Sequence, residues 1–262
     1  MSSSTTALDV PMIPLRNGML HPAMCFGTYK VGYVPASASS AASGSAETVE
    51  RTAQECVADA LRVGYRSFEC AEFYGNEVEV GKAIVESNIP RSELFLCSKV
   101  WTTTIEKGPA AVRAQLEKTL TDLQTDYVDL YLIHWPVPGH HVEAYKTLQQ
   151  LQAEGKIKGI GVSNYAWEDY VELKESDGVT ELPLVNQIEI NPFLYRKNTI
   201  RRFIDDGVVL QSYRSLRDGK AMDNPVLVEM AGSYGKSVAQ ILGRWVRLCV
   251  VCDRRGLSNN FK

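Results

Sequence analysis

The chain has 262 residues, 45% hydrophobic and 23% charged, with a formal net charge of −3; these values fit a globular protein with a sizeable core and indicate neither membrane nor disorder. Without a basic excess there is no broad cationic face for a phosphate backbone, so nucleic acid is not an expected partner. The polar, Ser/Thr-rich start, residues 1–10, lacks the basic and apolar regions of a secretory leader; it is expected to be flexible, and a cytoplasmic location is expected.

One domain is expected over residues 11–252, with a tail at 253–262. It opens with Met12 to Leu15 and Met19-Leu20 on either side of Arg16-Asn17-Gly18. Asn-Gly is a strong hairpin turn signal, so a short hairpin should come first and plug the N-terminal end of the main sheet. Seven short apolar runs come after it, Ala23 to Phe26, Arg66 to Glu69, Leu94 to Ser98, Val128 to Ile133, Ile157 to Val162, Leu184 to Ile188 and Val208 to Ser212. Amphipathic stretches such as Val49 to Val63, Ala110 to Leu123 and Val142 to Glu154 lie between them and have helical spacing. Strands apolar on both faces and separated by helices predict a covered parallel sheet, either a (β/α) barrel or a doubly wound sheet.

Residues 34–45 are an Ala/Ser-rich insert with nothing to bury; a lid over the site and a neutral loop insertion both remain open. Leu248 to Cys252 can supply an eighth strand, and the tail beyond it is too short for a further helix. Six cysteines are scattered through apolar contexts, so no disulfide framework is expected. Cys249 and Cys252 have CxxC spacing but no second ligand pair, and no metal site is expected.

Several strand ends carry proton-handling side chains. Glu69 and Tyr74 lie five residues apart at one, Lys99 follows the next, and His134 ends the third. Polar residues gathered at the C-terminal ends of parallel strands mark the place where barrel enzymes keep their chemistry.

The motifs Phe26-Gly27-Thr28-Tyr29, Gly64-Tyr65-Arg66, Glu69 to Glu77, Ser98 to Trp101, Asp129 to Pro136, Gly159 to Asn164 and Asn186 to Pro192 occur in the order found in aldo-keto reductases, which the chain resembles from Met12 to Trp245. The resemblance implies a (β/α)8 TIM barrel with an N-terminal β-hairpin, the C-terminal part being truncated or incomplete. It implies an NADP-dependent oxidoreductase that reduces a small aldehyde or ketone to an alcohol with NADPH and without a metal; composition and charge give no membrane or nucleic-acid partner, and no protein partner is implied. Gly159-Ile160-Gly161 is only half of a dinucleotide fingerprint, which agrees with the absence of a Rossmann domain.

By the same resemblance Tyr74 is the proton donor, Lys99 eases its ionisation, Glu69 holds Lys99, and His134 orients the carbonyl. The reason for these residue types is general: hydride arriving at a carbonyl carbon leaves charge on oxygen, an acid must supply the proton, and a phenol of ordinary pKa ~10 needs a neighbouring cation to help. Gly27, Thr28, Glu69, Ser163, Asn164, Gln187, Tyr213, Ser215 and Leu216 are the implied cofactor positions. Ser163, Asn164 and Gln187 are matched to the carboxamide, and Tyr213 to the face of the nicotinamide. His134, Trp101 and Tyr29 are the implied substrate contacts.

The chain departs from the family pattern in places. Glu69 stands where the family has aspartate, Ser67 where it usually has histidine, and Arg214 where a serine normally follows the stacking tyrosine. The segment that holds the adenosine 2′-phosphate is not recognisable after Trp245, although Arg254 and Arg255 could offer guanidinium donors. An inactive or repurposed barrel is therefore a second reading, and a Schiff-base enzyme centred on Lys99 a third.

Overall fold

The computed structural model describes residues 7–32 and 51–248. The Ala/Ser insert at 34–45, the Cys249–Cys252 pair, Arg254 and Arg255 lie outside the described residues. So does the expected eighth strand except for Leu248, which caps a helix. The chain divides into two compact units, Met1–Val34 with Glu50–Val185, and Pro35–Val49 with Asn186–Lys262.

The first unit opens with strands β1 (Met12–Pro14) and β2 (Leu20–Pro22), paired antiparallel. Gly18 adopts φ +86°, which a residue without Cβ tolerates, and Leu15 N–H closes the turn on Met19 O at 2.8 Å. A Cβ on Gly159 would meet Met19 Sδ at 3.1 Å, and the His21 ring lies 4.9 Å from that of Phe95. Gly159 and Phe95 belong to the N-terminal halves of their strands, so the hairpin covers that end of the sheet, where the sequence placed it. The next apolar run begins as strand only at Phe26, because Ala23 N–H is still tied to Pro11 O of the hairpin.

A separate sheet follows, in which β3 (Phe26–Gly27), β4 (Ser67–Glu69), β5 (Phe95–Val100), β6 (Val128–Ile133) and β7 (Ile157–Ser163) are paired parallel, each with the next. Between them lie α1 (Ala53–Arg62), α2 (Glu77–Glu86), α3 (Thr102–Ile105), α4 (Pro109–Leu123) and α5 (His141–Ala153), with α6 (Trp167–Glu175) after β7. Helix α1 starts with a capping box between Thr52 and Glu55, and α4 with Pro109, whose missing N–H would have no helical partner there. The helices bury apolar faces against one side of the strands, where Phe68, Leu96, Val100, Tyr131, Ile133, Ile160 and Val162 join Val57, Val80, Leu116 and Leu148 in one core. Each such aliphatic side chain contributes roughly 2 kcal/mol by leaving water.

Helices α2 and α4 approach closely at Gly81, where a Cβ would meet Asp122 O at 2.2 Å. Glycine is required there for space. Because side chains alternate along a strand, residues one position away from the core row share the opposite face. Glu69, Cys97, Lys99, Leu132 and Ser163 form that second row, with Glu69 beside Cys97 and Lys99 beside Leu132 in the register. The alternation therefore puts the polar strand ends together, away from the helices.

The second unit contains α7 (Lys197–Asp205), β9 (Val209–Tyr213), α8 (Pro225–Tyr234) and α9 (Val238–Arg247); β8 (Val185–Glu189) begins at the boundary. Asn224 caps α8 and a Ser237–Gln240 capping box starts α9. Ala221, Leu227 and Leu242 form a small core between them. Among the described residues no helix is long and apolar enough to cross a membrane, and no cluster of three or more His, Cys, Asp or Glu side chains could hold a metal ion.

Candidate active site

Strand β4 ends at Glu69, and a 3-10 turn over Glu72–Tyr74 carries the phenol back over it. Gly75, at φ +67°, closes the turn and releases the chain into α2. Lys99, on β5, is fully buried. Its Nζ donates to the Tyr74 hydroxyl at 2.9 Å and to Cys70 O at 3.0 Å, and it pairs with Glu69 Oε1. Tyr74 in turn donates to Glu69 Oε1 at 3.0 Å. Lysine, phenol and carboxylate thus make a closed triangle.

The longer side chain of Glu69 fits because Gly27 faces it. A Cβ at position 27 would lie 3.3 Å from Glu69 Oε2. Thr28 anchors the same strand end, its Oγ1 and N–H both donating to Glu69 O at 3.0 Å, while Asn76 Nδ2 donates to Thr28 O at 2.9 Å. Ser67, at the place of the family's histidine, donates to Cys25 Sγ at 3.0 Å. Burial pushes that thiol up to about 12, so it stays neutral.

Burial also pushes the Lys99 ammonium well below its ordinary value. The Glu69 carboxylate works against this, since an opposite charge in contact favours the charged lysine. His134, just after β6, is pushed down to about 2, first by burial and then by the Lys99 charge. It is therefore a neutral imidazole at any physiological pH. Among the described residues its buried Nδ1 has no hydrogen-bond partner, a ring nitrogen with unmet capacity in the cluster.

His134 stands edge-on to Trp101 and Tyr74, with ring centroids 4.8 and 5.9 Å away. Trp101 stacks on Phe73 at 4.0 Å, and Tyr29 packs against Tyr74 at 5.1 Å. A cleft of about 270 Å³ lined by Tyr29, Lys30, Phe73, Tyr74 and Gly75 opens at this point. A larger one, about 490 Å³, is lined by Glu117, Leu120, Thr121, Gln124, Thr125, Asp126 and Lys156. None of these is a strand-end residue of the cluster, whereas the smaller cleft is lined by Tyr74.

At the end of β7, Ser163 is buried and Asn164 takes φ +61°, a left-handed conformation that asparagine tolerates. Asn164 Nδ2 donates to His134 O at 3.0 Å and Ser163 Oγ at 3.1 Å, which ties this strand end to the neighbouring one. A hydroxyl beside a carboxamide supplies both donors and acceptors, the set that a nicotinamide carboxamide needs.

In the second unit Gln187 is buried on β8 and Tyr213 ends β9. Burial raises the Tyr213 phenol, so it stays neutral. Ser215 shares a hydrogen bond of 2.7 Å with Ser212, and Leu216 is exposed before a 3-10 turn. Arg214 pairs with Asp218 and lies 3.7 Å from Glu189, so its charge is compensated locally.

Phe73, Glu72 and Asn76 were not singled out from the sequence, although all three lie inside the Glu69 to Glu77 motif. Phe73 had a signal, being an aromatic beside Tyr74 in a polar stretch.

The comparisons with known proteins agree on one family. The aldo/keto reductase family model matches residues 23–248. The uncharacterized oxidoreductase YtbE of Bacillus subtilis (strain 168) is 42% identical over 193 residues, 72% of this chain and 68% of that protein. The glyoxal reductase of the same organism is 40% identical over 193 residues, 74% of this chain and 68% of that protein. Among solved structures, a Bombyx mori aldo-keto reductase in complex with NADP is 28% identical with a TM-score of 0.77, over 95% of this chain and 82% of that one. The chain belongs to the aldo/keto reductase family and has its parallel α/β barrel type of fold.

Proposed function

We propose that the chain reduces a small aldehyde or ketone to the alcohol using NADPH, with Tyr74 as the proton donor. The observation that carries this reading is the hydrogen bond from Lys99 Nζ to the Tyr74 hydroxyl at 2.9 Å, inside a triangle closed by Glu69. A lysine in contact stabilises the phenolate that remains once the proton has gone to the carbonyl oxygen. The bound nicotinamide would supply the hydride.

The chain's own residues would do the rest. Neutral His134 can give a hydrogen bond to the carbonyl oxygen without competing as an acid. Ser163 and Asn164 would hold the nicotinamide carboxamide. In the second unit, taken by itself, Gln187, Tyr213, Ser215 and Leu216 are the cofactor positions that the family resemblance implies. Gly27 and Thr28 would leave room for the cofactor beside Glu69. Trp101, with Tyr29, would wall the substrate side. Glyoxal, named for the Bacillus subtilis relative, is a sensible first substrate.

A second reading has its own support. Tyr74 directs its proton at Glu69, and a carboxylate that holds this proton favours a protein that binds cofactor without turnover. Titrating NADPH against tryptophan fluorescence and then adding aldehydes separates the two. Binding with oxidation of NADPH supports the reductase, binding without oxidation supports the second reading, and no binding contradicts both.

A further inference from the structure

We propose that Glu72 is a positioning residue for the substrate side of the site, its carboxylate fixing Trp101 and so the Phe73–Trp101 stack against which the group flanking the carbonyl lies. This rests on the reductase reading above. Glu72 Oε2 accepts from Trp101 N–H at 2.6 Å, and Oε1 accepts from Thr104 Oγ1 at 2.6 Å.

The need for such a residue comes from how α3 begins. Trp101 is its N-cap but offers no side-chain oxygen to the first turn. In a capping box a Glu or Gln at the third helical position would reach back to the N-cap N–H. That position is Thr104, whose hydroxyl instead donates to Glu72, and Glu72 supplies the missing carboxylate from the turn that carries Tyr74. One side chain therefore links the proton donor's turn to the start of α3.

The link bears on the substrate wall. The Phe73 and Trp101 rings stack with centroids 4.0 Å apart and planes at 24°, and Trp101 meets His134 at 4.8 Å nearly perpendicular. Phe73 is 50% exposed, so the stack presents an open aromatic surface. Its chemistry suits a flat or apolar substituent on the carbonyl. The Glu72 carboxylate accepts from Trp101 and Thr104, whereas the Tyr74 hydroxyl bonds to Lys99 and Glu69, so loss of Glu72 should disturb binding of the substrate more than proton transfer.

The test compares the wild-type chain with Glu72→Ala and Glu72→Gln, measuring KM and kcat for an aromatic aldehyde, the Kd of NADPH, and hydrogen exchange at the Trp101 amide. A loosened wall should raise KM about tenfold in Glu72→Ala, with kcat and NADPH affinity within about threefold, because loss of binding made equally in the ground and transition states raises KM and leaves kcat. Glu72→Gln, which keeps an acceptor oxygen, should recover part of the loss. Exchange at the Trp101 amide should quicken about tenfold in Glu72→Ala. Unchanged KM, or a parallel fall of kcat and cofactor affinity in both variants, would overturn the proposal. If the wild-type chain turns over no carbonyl, the reductase reading has failed and exchange decides alone: a Trp101 amide equally protected in Glu72→Ala would refute the positioning, and one protected only in the wild type would support it.

Discussion

The Tyr74 hydroxyl donates to Glu69 Oε1 at 3.0 Å, so the carboxylate that pairs with Lys99 also holds the proton that the proposed reaction consumes. An aspartate would end one methylene earlier. Glu69→Asp should keep the lysine pair and release the phenol, raising kcat roughly tenfold if the contact with Tyr74 is the restraint. Glu69→Gln removes the negative charge that opposes ionisation of the phenol, so the loss of activity at alkaline pH should begin at lower pH than in the wild type. pH profiles of kcat for the three proteins check both outcomes.

Lys99 and Glu69 are both buried, at 0% and 8% exposure. Removing one partner of a buried pair costs about 3–5 kcal/mol, whereas replacing both with apolar residues is often neutral. Lys99→Met should therefore unfold at lower urea than Lys99→Met with Glu69→Leu. The reverse order would show that the pair is not coupled in the folded chain.

His134, held neutral with a pKa of about 2, affects stability below its unfolded pKa of ~6.5. There the unfolded chain binds a proton that the folded chain refuses, so stability falls as pH falls, by up to about 1.4 kcal/mol per pH unit. Between pH 6 and 4 the His134→Gln protein should lose stability less steeply than wild type. Urea midpoints across that range measure the difference, and parallel slopes would contradict it.

Glu77 has the opposite sign. It is buried at the start of α2, accepts from Ser98 Oγ at 2.6 Å and Thr119 Oγ1 at 3.0 Å, and is pushed up to about 7 by burial. The folded chain holds this proton between about pH 4.5 and 7, so the associated stability is present below 4.5 and lost as pH rises through 7. Glu77→Gln cannot ionise and should gain relative to wild type above pH 7, by on the order of 3 kcal/mol at most. Near pH 4 the two should be close. Thermal unfolding at pH 4 and pH 8 gives the comparison.

Much of this arrangement was legible in the sequence because strands buried on both faces read as apolar runs. Val128–Ile133 has the same limits in sequence and structure, and β5 runs past the expected end at Ser98, through Lys99 to Val100, because the lysine is buried within the strand. The burial of Glu77 also had a signal: with Val80, Gly81 and Ile84 it follows the i, i+3, i+4, i+7 spacing of a buried helix face. The contact between Glu69 and Tyr74 had none. It depends on a 3-10 turn folding back over β4 and on the space left at Gly27, and neither is set by residue spacing. The double acceptance by Glu72 was equally hidden, since its partners lie 29 and 32 residues away.

The most direct test of the central claim is oxidation of NADPH by the wild-type chain and by Tyr74→Phe with glyoxal, alongside the affinity of each for NADPH. The account predicts turnover in the wild type, a loss of at least about a hundredfold in Tyr74→Phe, and NADPH affinities that agree within about threefold. Equal turnover by the two proteins would contradict Tyr74 as the proton donor. Absence of turnover in a wild-type chain that binds NADPH would contradict the reductase itself.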